Sequence, residues 1–442
     1  MSSKKVFDKK NGPLSFRYKV LNEFRRNGLG LSLSYLGFSV IWVLNCLTIM
    51  RSYWSGDDWP NSQTPYWIQW RYGKITNWNI WTEAMFWNKQ WMIGAGRFYP
   101  VHWIESRYVF SYFRELWQYK IYQTLTLSIA GFIFIFVIYQ LSRSHFLAIS
   151  TLAALSVTVQ FRRDFDPHLA FAAMLPTLFI RVFVAAYLAY LAGKTQWEIR
   201  ALLYSIASGF IFFLGMSTYE FGFLLFPIIL VSYLIGSEKN KPIAKIEKFY
   251  AGILKKLINI RTTPIWCSWI FYGVFVFGFL RPRATSISGT YVLGISWKSI
   301  PVFLSQAFMG LPGIALRSND FNFKFNWLIP CVLATLVVHK SFQKLLKHFD
   351  ANLGKLQMEE LVHNRSFFLD SLLVILALNL ILAPGIMMSL QQTWWGRADF
   401  THSYLGVMIT EFGTALLIAI IINRYFLLLF KTATNFNKRR KK

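Results

Sequence analysis

Apolar residues along this chain gather in runs of roughly 20, the length that crosses a bilayer core. A soluble core is covered instead by shorter stripes broken by polar faces. The runs predict about ten spanning helices, at residues 30–50, 121–141, 146–161, 171–192, 201–217, 221–236, 264–280, 326–340, 366–389 and 406–428. The apolar stretch 299–316 is broken by Leu311-Pro312-Gly313 and reads as an interfacial or re-entrant helix. The expected fold class is an all-α polytopic membrane protein. It is read as one membrane domain over residues 1–442 with a single large loop at 51–120. The first run has full spanning length and no A-x-A exit, so it is expected to remain a helix and not to be removed as a signal peptide.

Composition agrees with this pattern. Of 442 residues, 55% are hydrophobic and only 15% charged, against about a quarter charged in a soluble domain. The net charge of +27 first suggests nucleic acid. The placement of the charge excludes that partner, because the basic residues sit mainly in short segments between the runs. Residues 1–30, 237–263, 339–365 and the tail from Lys431 hold more than half of the 47 lysines and arginines. Ten spans put all four segments on one side, which the positive-inside rule makes the cytoplasm. Both termini fall there, and anionic lipid reinforces the arrangement. A full span at 299–316 would separate 339–365 from the basic tail. The three cysteines, Cys46, Cys267 and Cys331, all lie in apolar runs without metal-ligand spacing and read as packing residues.

The candidate chemistry falls in the segments on the other side. Asp57 and Asp58 follow the first run in Gly56-Asp57-Asp58-Trp59-Pro60. Adjacent carboxylates repel, which raises one pKa and suits a general base; the same residues also make an ordinary solvated turn. Within the long loop, segment 77–93 places Ile80, Trp81, Ala84, Trp87 and Trp91 near one helical face, with Glu83, Lys89 and Gln90 elsewhere. Such a helix suits the membrane interface, as an anchor or as the wall of an entrance for a lipid-linked substrate. Gly96-Arg97-Phe98 and Arg107 come next. An arginine here serves phosphate or snorkels to headgroups.

Arg162-Arg163-Asp164-Phe165-Asp166-Pro167-His168 packs two arginines, two carboxylates and a histidine between two runs. Tyr219-Glu220 has almost wholly apolar flanks, where a carboxylate is expensive unless paired, and an arginine of the same side is its expected partner. Arg281-Pro282-Arg283, followed by Ser286, Ser288 and Tyr291, offers paired arginines for a phosphate or pyrophosphate. Arg397 and Asp399 are a weaker pair of the same kind. No nucleotide-phosphate loop, H-E-x-x-H or Gly-x-Ser-x-Gly occurs.

An acidic pair after the first span, a long first outer loop with an amphipathic helix, and Gly96-Arg97-Phe98 beyond it resemble the GT-C superfamily of membrane glycosyltransferases. The nearest likeness is to the bacterial branch of O-antigen glucosyltransferases and arabinofuranosyltransferases. The resemblance covers roughly residues 1–236. It implies a sugar donor linked to polyprenyl phosphate, a glycan or glycolipid acceptor, inversion at the anomeric carbon and a site on the outer face of a bacterial plasma membrane. By this resemblance Asp57 is the base and Asp58 its support or a metal contact. Arg97, Arg281 and Arg283 become candidates for the donor phosphate, and Asp164, Asp166, Tyr219, Glu220 and Tyr291 for sugar hydroxyls. A divalent cation, Mg or Mn, is left open, with Asp57, Asp58, Asp164, Asp166 and His168 as its potential ligands. A Wzy-like polysaccharide polymerase or ligase and a flippase for lipid-linked sugars are the alternative readings.

Overall fold

The computed structural model describes residues 32–54, 57–159, 171–238, 254, 256–285, 293–309, 367–395 and 406–440. Two compact units divide the chain, residues 1–41 with 323–365 and residues 42–322 with 366–442. Of the first unit, only 32–41 are among the described residues. The packing and the site below belong to the second.

Eight described helices are long and apolar enough to cross a membrane, so the protein is an all-helical, multi-span membrane protein. They are α1 (Ser32–Arg51), α6 (Leu116–Ser142), the segment Phe171–Lys194, α9 (Glu198–Met216), Phe221–Glu238, Thr263–Arg283, Leu369–Ser389 and Val407–Tyr425. Two of the ten expected spans are missing from this set. The run at 146–161 forms α7 (His145–Thr158), whose 14 residues rise only about 21 Å, short of a core roughly 30 Å thick. The run at 326–340 lies outside the described residues. Of the stretch at 299–316, the described residues form α12 (Ser299–Met309), and 310–316 lie outside the described residues.

Four helices occupy the long loop: α2 (Asp58–Ser62), α3 (Thr64–Tyr72), α4 (Asn77–Ala95) and α5 (Pro100–Tyr112). Local chemistry sets their ends. Thr76 caps α4 by accepting the Asn79 N–H, and α4 stops where Gly96 turns left-handed at φ +63°. Pro100 opens α5, where its missing N–H costs nothing. Glu115 and Gln118 form a capping box at the head of α6.

The core is built where helices of the second unit cross closely. α8 (Met174–Lys194) packs on α6, α9 and α10 (Phe226–Glu238), and α11 (Thr263–Gly273) packs on α9. α13 (Phe367–Ser389) packs on α12 and α14 (Val407–Arg440). Small residues permit these contacts, as expected where lipid removes the hydrophobic drive. A Cβ on Gly193 would lie 2.3 Å from the Tyr233 carbonyl, and one on Gly236 would lie 2.2 Å from that of Tyr190. Helices α8 and α10 therefore meet backbone to backbone.

The long loop departs from expectation in one respect. Part of the aromatic face of α4 turns inward, with Trp87 and Trp91 packed on Trp103 of α5 at centroid distances of 5.8 and 6.3 Å, while Trp81 stays exposed. Glu83, expected elsewhere, is buried on that same side. It lies three residues from Ile80 and four from Trp87, so a helix puts all of them on one face. Its charge is met by Arg71 at 2.8 Å, by the Trp87 indole at 2.7 Å and by the Tyr72 hydroxyl at 3.3 Å. Aromatic side chains are exposed on α4 at Trp78, Trp81 and Phe86, and on α3, where Tyr66, Trp67 and Trp70 face outward opposite buried Thr64, Pro65 and Ile68.

Candidate functional site

Two clusters of buried polar groups sit where the long loop meets the helix ends. The first joins three residues that lie far apart in the chain. Glu220, in the turn between α9 and α10, is 1% exposed. One of its oxygens accepts Arg97 Nη2 at 2.8 Å and the other accepts Arg281 Nη2 at 2.8 Å. Arg97 is buried, with its guanidinium 4.5 Å from the Tyr99 ring centroid and 5.6 Å from that of Tyr219. These contacts make Tyr219 a wall of the arginine site.

Local structure aims both arginines. Gly96 ends α4 with backbone so close to Arg281 that a Cβ would lie 2.6 Å from its Cα. Thr285 donates its N–H to the Ile93 carbonyl at 2.9 Å, which fastens the same junction. Residues Val274–Leu280 wind as a π-helix before Arg281, a wide turn that is frequent at functional sites. Among the described residues, Arg97 and Arg281 pair with the same carboxylate. Arg281 Nε and Nη1 are buried and meet no acceptor among the described residues.

Arg283 is not part of this cluster. Its guanidinium stacks 3.7 Å from the Phe279 centroid on an exposed side chain. The proline between the arginines and the short 3-10 turn direct the two side chains apart.

The second cluster surrounds Asp58, which is fully buried at the head of α2. Its Oδ2 accepts the Tyr119 hydroxyl at 2.6 Å, and its Oδ1 accepts the Phe171 N–H at 2.7 Å. The Ala172 N–H is shared between Asp58 Oδ1 at 3.4 Å and the Tyr119 oxygen at 3.0 Å. Gln123 donates its amide to Tyr119 at 2.9 Å and accepts the ammonium of buried Lys120 at 3.0 Å. Burial pushes the Asp58 carboxyl well above the usual carboxylate range, opposed by the Tyr119 bond, Lys120 and the two backbone N–H groups.

The turn that supplies those N–H groups is itself strained. Phe171, Ala172 and Ala173 have φ of 62°, 48° and 56°. Three successive side-chain-bearing residues in the left-handed region cost about 1–2 kcal/mol each. Such a turn persists only where its surroundings hold it.

Asp57, one residue earlier, is exposed, and no described donor reaches its carboxylate. Loss of part of its hydration raises its pKa. Its carbonyl accepts the backbone and side-chain N–H groups of Asn61, at 3.1 and 2.8 Å. Asn61 is held in turn by buried Arg107, which donates to Asn61 Oδ1 at 3.1 Å and to the Thr64 hydroxyl. Arg107 therefore braces α2. Burial lowers its pKa to about 10, so it stays cationic. Its charge, with Arg181 and Arg97, adds to burial in lowering His102 to about 3, which leaves that ring neutral.

Asp164, Asp166, His168 and Tyr291 lie outside the described residues, as do Arg397 and Asp399. Among the described residues no group of three or more His, Cys, Asp or Glu could hold a metal ion. The structure adds residues that sequence reasoning passed over. Tyr119 and Lys120 belong to the Asp58 network. Arg181, inside a span, pairs with Glu105 and donates to Thr218 at 2.8 Å, next to Tyr219. An arginine within an apolar run is itself a signal of function and could have marked this pair.

Comparison of the chain with protein-family models, with curated proteins and with solved structures finds no match.

Proposed function

We propose that this membrane protein is a glycosyltransferase. It moves a sugar from a polyprenyl-phosphate donor to a hydroxyl of a surface polysaccharide, glycolipid or lipid-linked glycan on the non-cytoplasmic face of a bacterial plasma membrane. The observation that carries the proposal is the convergence of Arg97 and Arg281 on Glu220 at the end of the long loop that also bears Asp57. Among the described residues, both arginines meet the same glutamate. A polyprenyl-phosphate sugar is a phosphodiester with a single negative charge, an acceptor suited to arginine. Arg281 has two buried N–H groups left to donate, and charge-assisted arginine–phosphate bonds are strong and directional.

The chemistry follows from these groups. Asp57 takes the proton of the acceptor hydroxyl. The oxygen attacks the anomeric carbon on the face opposite the phosphate, which inverts that centre. The bond between the anomeric carbon and the phosphate oxygen breaks, and its electron pair leaves with the lipid phosphate. The second negative charge that develops there is met by Arg97 and Arg281, already in place. A donor embedded in lipid suits a site on the face away from the cytoplasm, where nucleotide sugars are absent.

The test is single-turnover transfer from an undecaprenyl-phosphate hexose in nanodiscs containing an envelope acceptor fraction. A positioned base contributes about 100- to 10,000-fold, so Asp57→Asn should lower the rate by at least the smaller factor. Asp57 must be ionised to accept a proton. The wild-type rate should therefore fall as pH drops through the pKa that partial burial raises, and Asp57→Asn should lose that limb. Near wild-type transfer by Asp57→Asn would remove the chemical core of the proposal.

A further inference from the structure

The two adjacent aspartates have opposite surroundings. Asp57 is exposed, whereas the Asp58 carboxylate is sealed from solvent with a donor on each oxygen. Asp58 has no exposed surface to offer an acceptor hydroxyl or a metal ion, and its Tyr119 partner is packed between Trp54 and Phe110 at centroid distances of 4.9 and 5.0 Å. Every described donor to Asp58 comes from elsewhere in the fold: Tyr119 from α6, and Phe171 and Ala172 from the left-handed turn at the head of α8. We propose that Asp58 is a positioning residue, neither the proton acceptor nor a metal ligand. Its carboxylate clamps the left-handed turn 171–173 to α2 and so fixes the backbone from which Asp57 projects.

The details of the network support a clamp. Phe171 and Ala172 present adjacent N–H groups in one direction because both adopt left-handed φ, a concave arrangement that receives an anion. The Tyr119 oxygen accepts from Ala172 and Gln123, so its own proton must go to Asp58. The wiring is directional. An asparagine at 58 would aim N–H donors at the Tyr119 oxygen and leave its O–H without an acceptor. Removing the Tyr119 hydroxyl breaks the same link while keeping the ring in its aromatic stack. The positioning role rests on the transferase proposal, but the clamp itself does not.

Two readouts keep them apart. The first is hydrogen exchange of the peptide covering 168–176 in the full-length protein in nanodiscs. Asp58→Asn and Tyr119→Phe should each speed exchange of the Phe171 and Ala172 amides at least 10-fold, the double variant no further, and Asp57→Asn should leave them unchanged. Unaltered exchange in Asp58→Asn overturns the clamp, whatever the protein catalyses.

The second readout is the pH profile of single-turnover transfer. With the clamp as described, Tyr119→Phe and Asp58→Asn slow transfer to a similar degree and both keep the acid limb that Asp57→Asn loses. If Asp58→Asn alone loses the limb while Tyr119→Phe transfers normally, Asp58 is the base and the positioning role is wrong. Faster exchange in both variants from a protein that transfers no sugar would uphold the clamp and reject the transferase.

Discussion

The clusters around Glu220 and Asp58 are both buried carboxylates with multiple donors, yet they differ in what they leave over. At Glu220 two arginines share one carboxylate, and Arg281 keeps buried N–H groups with no described acceptor. At Asp58 each oxygen is taken by a hydroxyl or a backbone N–H, and the nearby Lys120 is already held by Gln123. The first keeps spare donors on Arg281, which can take an anion. The second is closed on itself and holds backbone in place. The lesson is that a buried acid is judged by the balance of its partners, since burial alone does not separate a binding site from a brace.

The sharpest way to break this comparison is to remove each acid and offer an anion in its place. Glu220→Ala removes the carboxylate that Arg97 and Arg281 both meet, and breaking a buried pair costs about 3–5 kcal/mol. The thermal midpoint in nanodiscs should fall clearly, and undecaprenyl phosphate should recover part of the loss. Asp58→Ala should also be destabilised, with no recovery. Equal recovery in both variants, or in neither, would erase the distinction drawn between the clusters.

A smaller effect tests how the arginines are aimed. Gly96→Ala imposes a side chain at positive φ and drives its Cβ into the Arg281 backbone. Overpacking of this kind costs about 1–3 kcal/mol, and the apparent donor KM should rise along with it. A stable variant with normal donor dependence would mean that the close approach does not set the site. The smallest effect is expected at Arg283, which stacks on Phe279 away from Glu220. Arg283→Ala should leave the donor KM within about twofold, in line with the small value of exposed charge interactions. A large rise would place the phosphate on the other side of Pro282.

Much of this architecture was legible in the chain. Runs of spanning length announced the membrane helices, and the cost of a carboxylate among apolar neighbours announced that Glu220 has an arginine partner. Arg97 and Arg281 both stood in the candidate set, but nothing local said that Arg281 would turn toward Glu220 and Arg283 away. That division comes from the π-helical turn and the contact with Gly96, which are tertiary features. The Asp58 network was illegible for a related reason. Backbone N–H groups have no residue type to read, and the left-handed turn 171–173 contains none of the glycines that normally mark such a conformation. The packing of Trp87 and Trp91 against α5 was missed because an aromatic stripe fits a membrane interface and an aromatic neighbour such as Trp103 equally well.

The central claim is that Arg97 and Arg281 form the seat of a lipid-linked phosphate. It is tested most directly by the binding of undecaprenyl phosphate to the purified protein in nanodiscs, measured for wild type and Arg281→Ala. Truncating one partner of a buried charged contact costs about 2–5 kcal/mol. The account predicts saturable binding by wild type and affinity at least about 30-fold weaker in Arg281→Ala, with Arg281→Lys only partly restoring it because lysine lacks the bidentate fork. Equal affinity in wild type and Arg281→Ala, with both proteins folded, would contradict it.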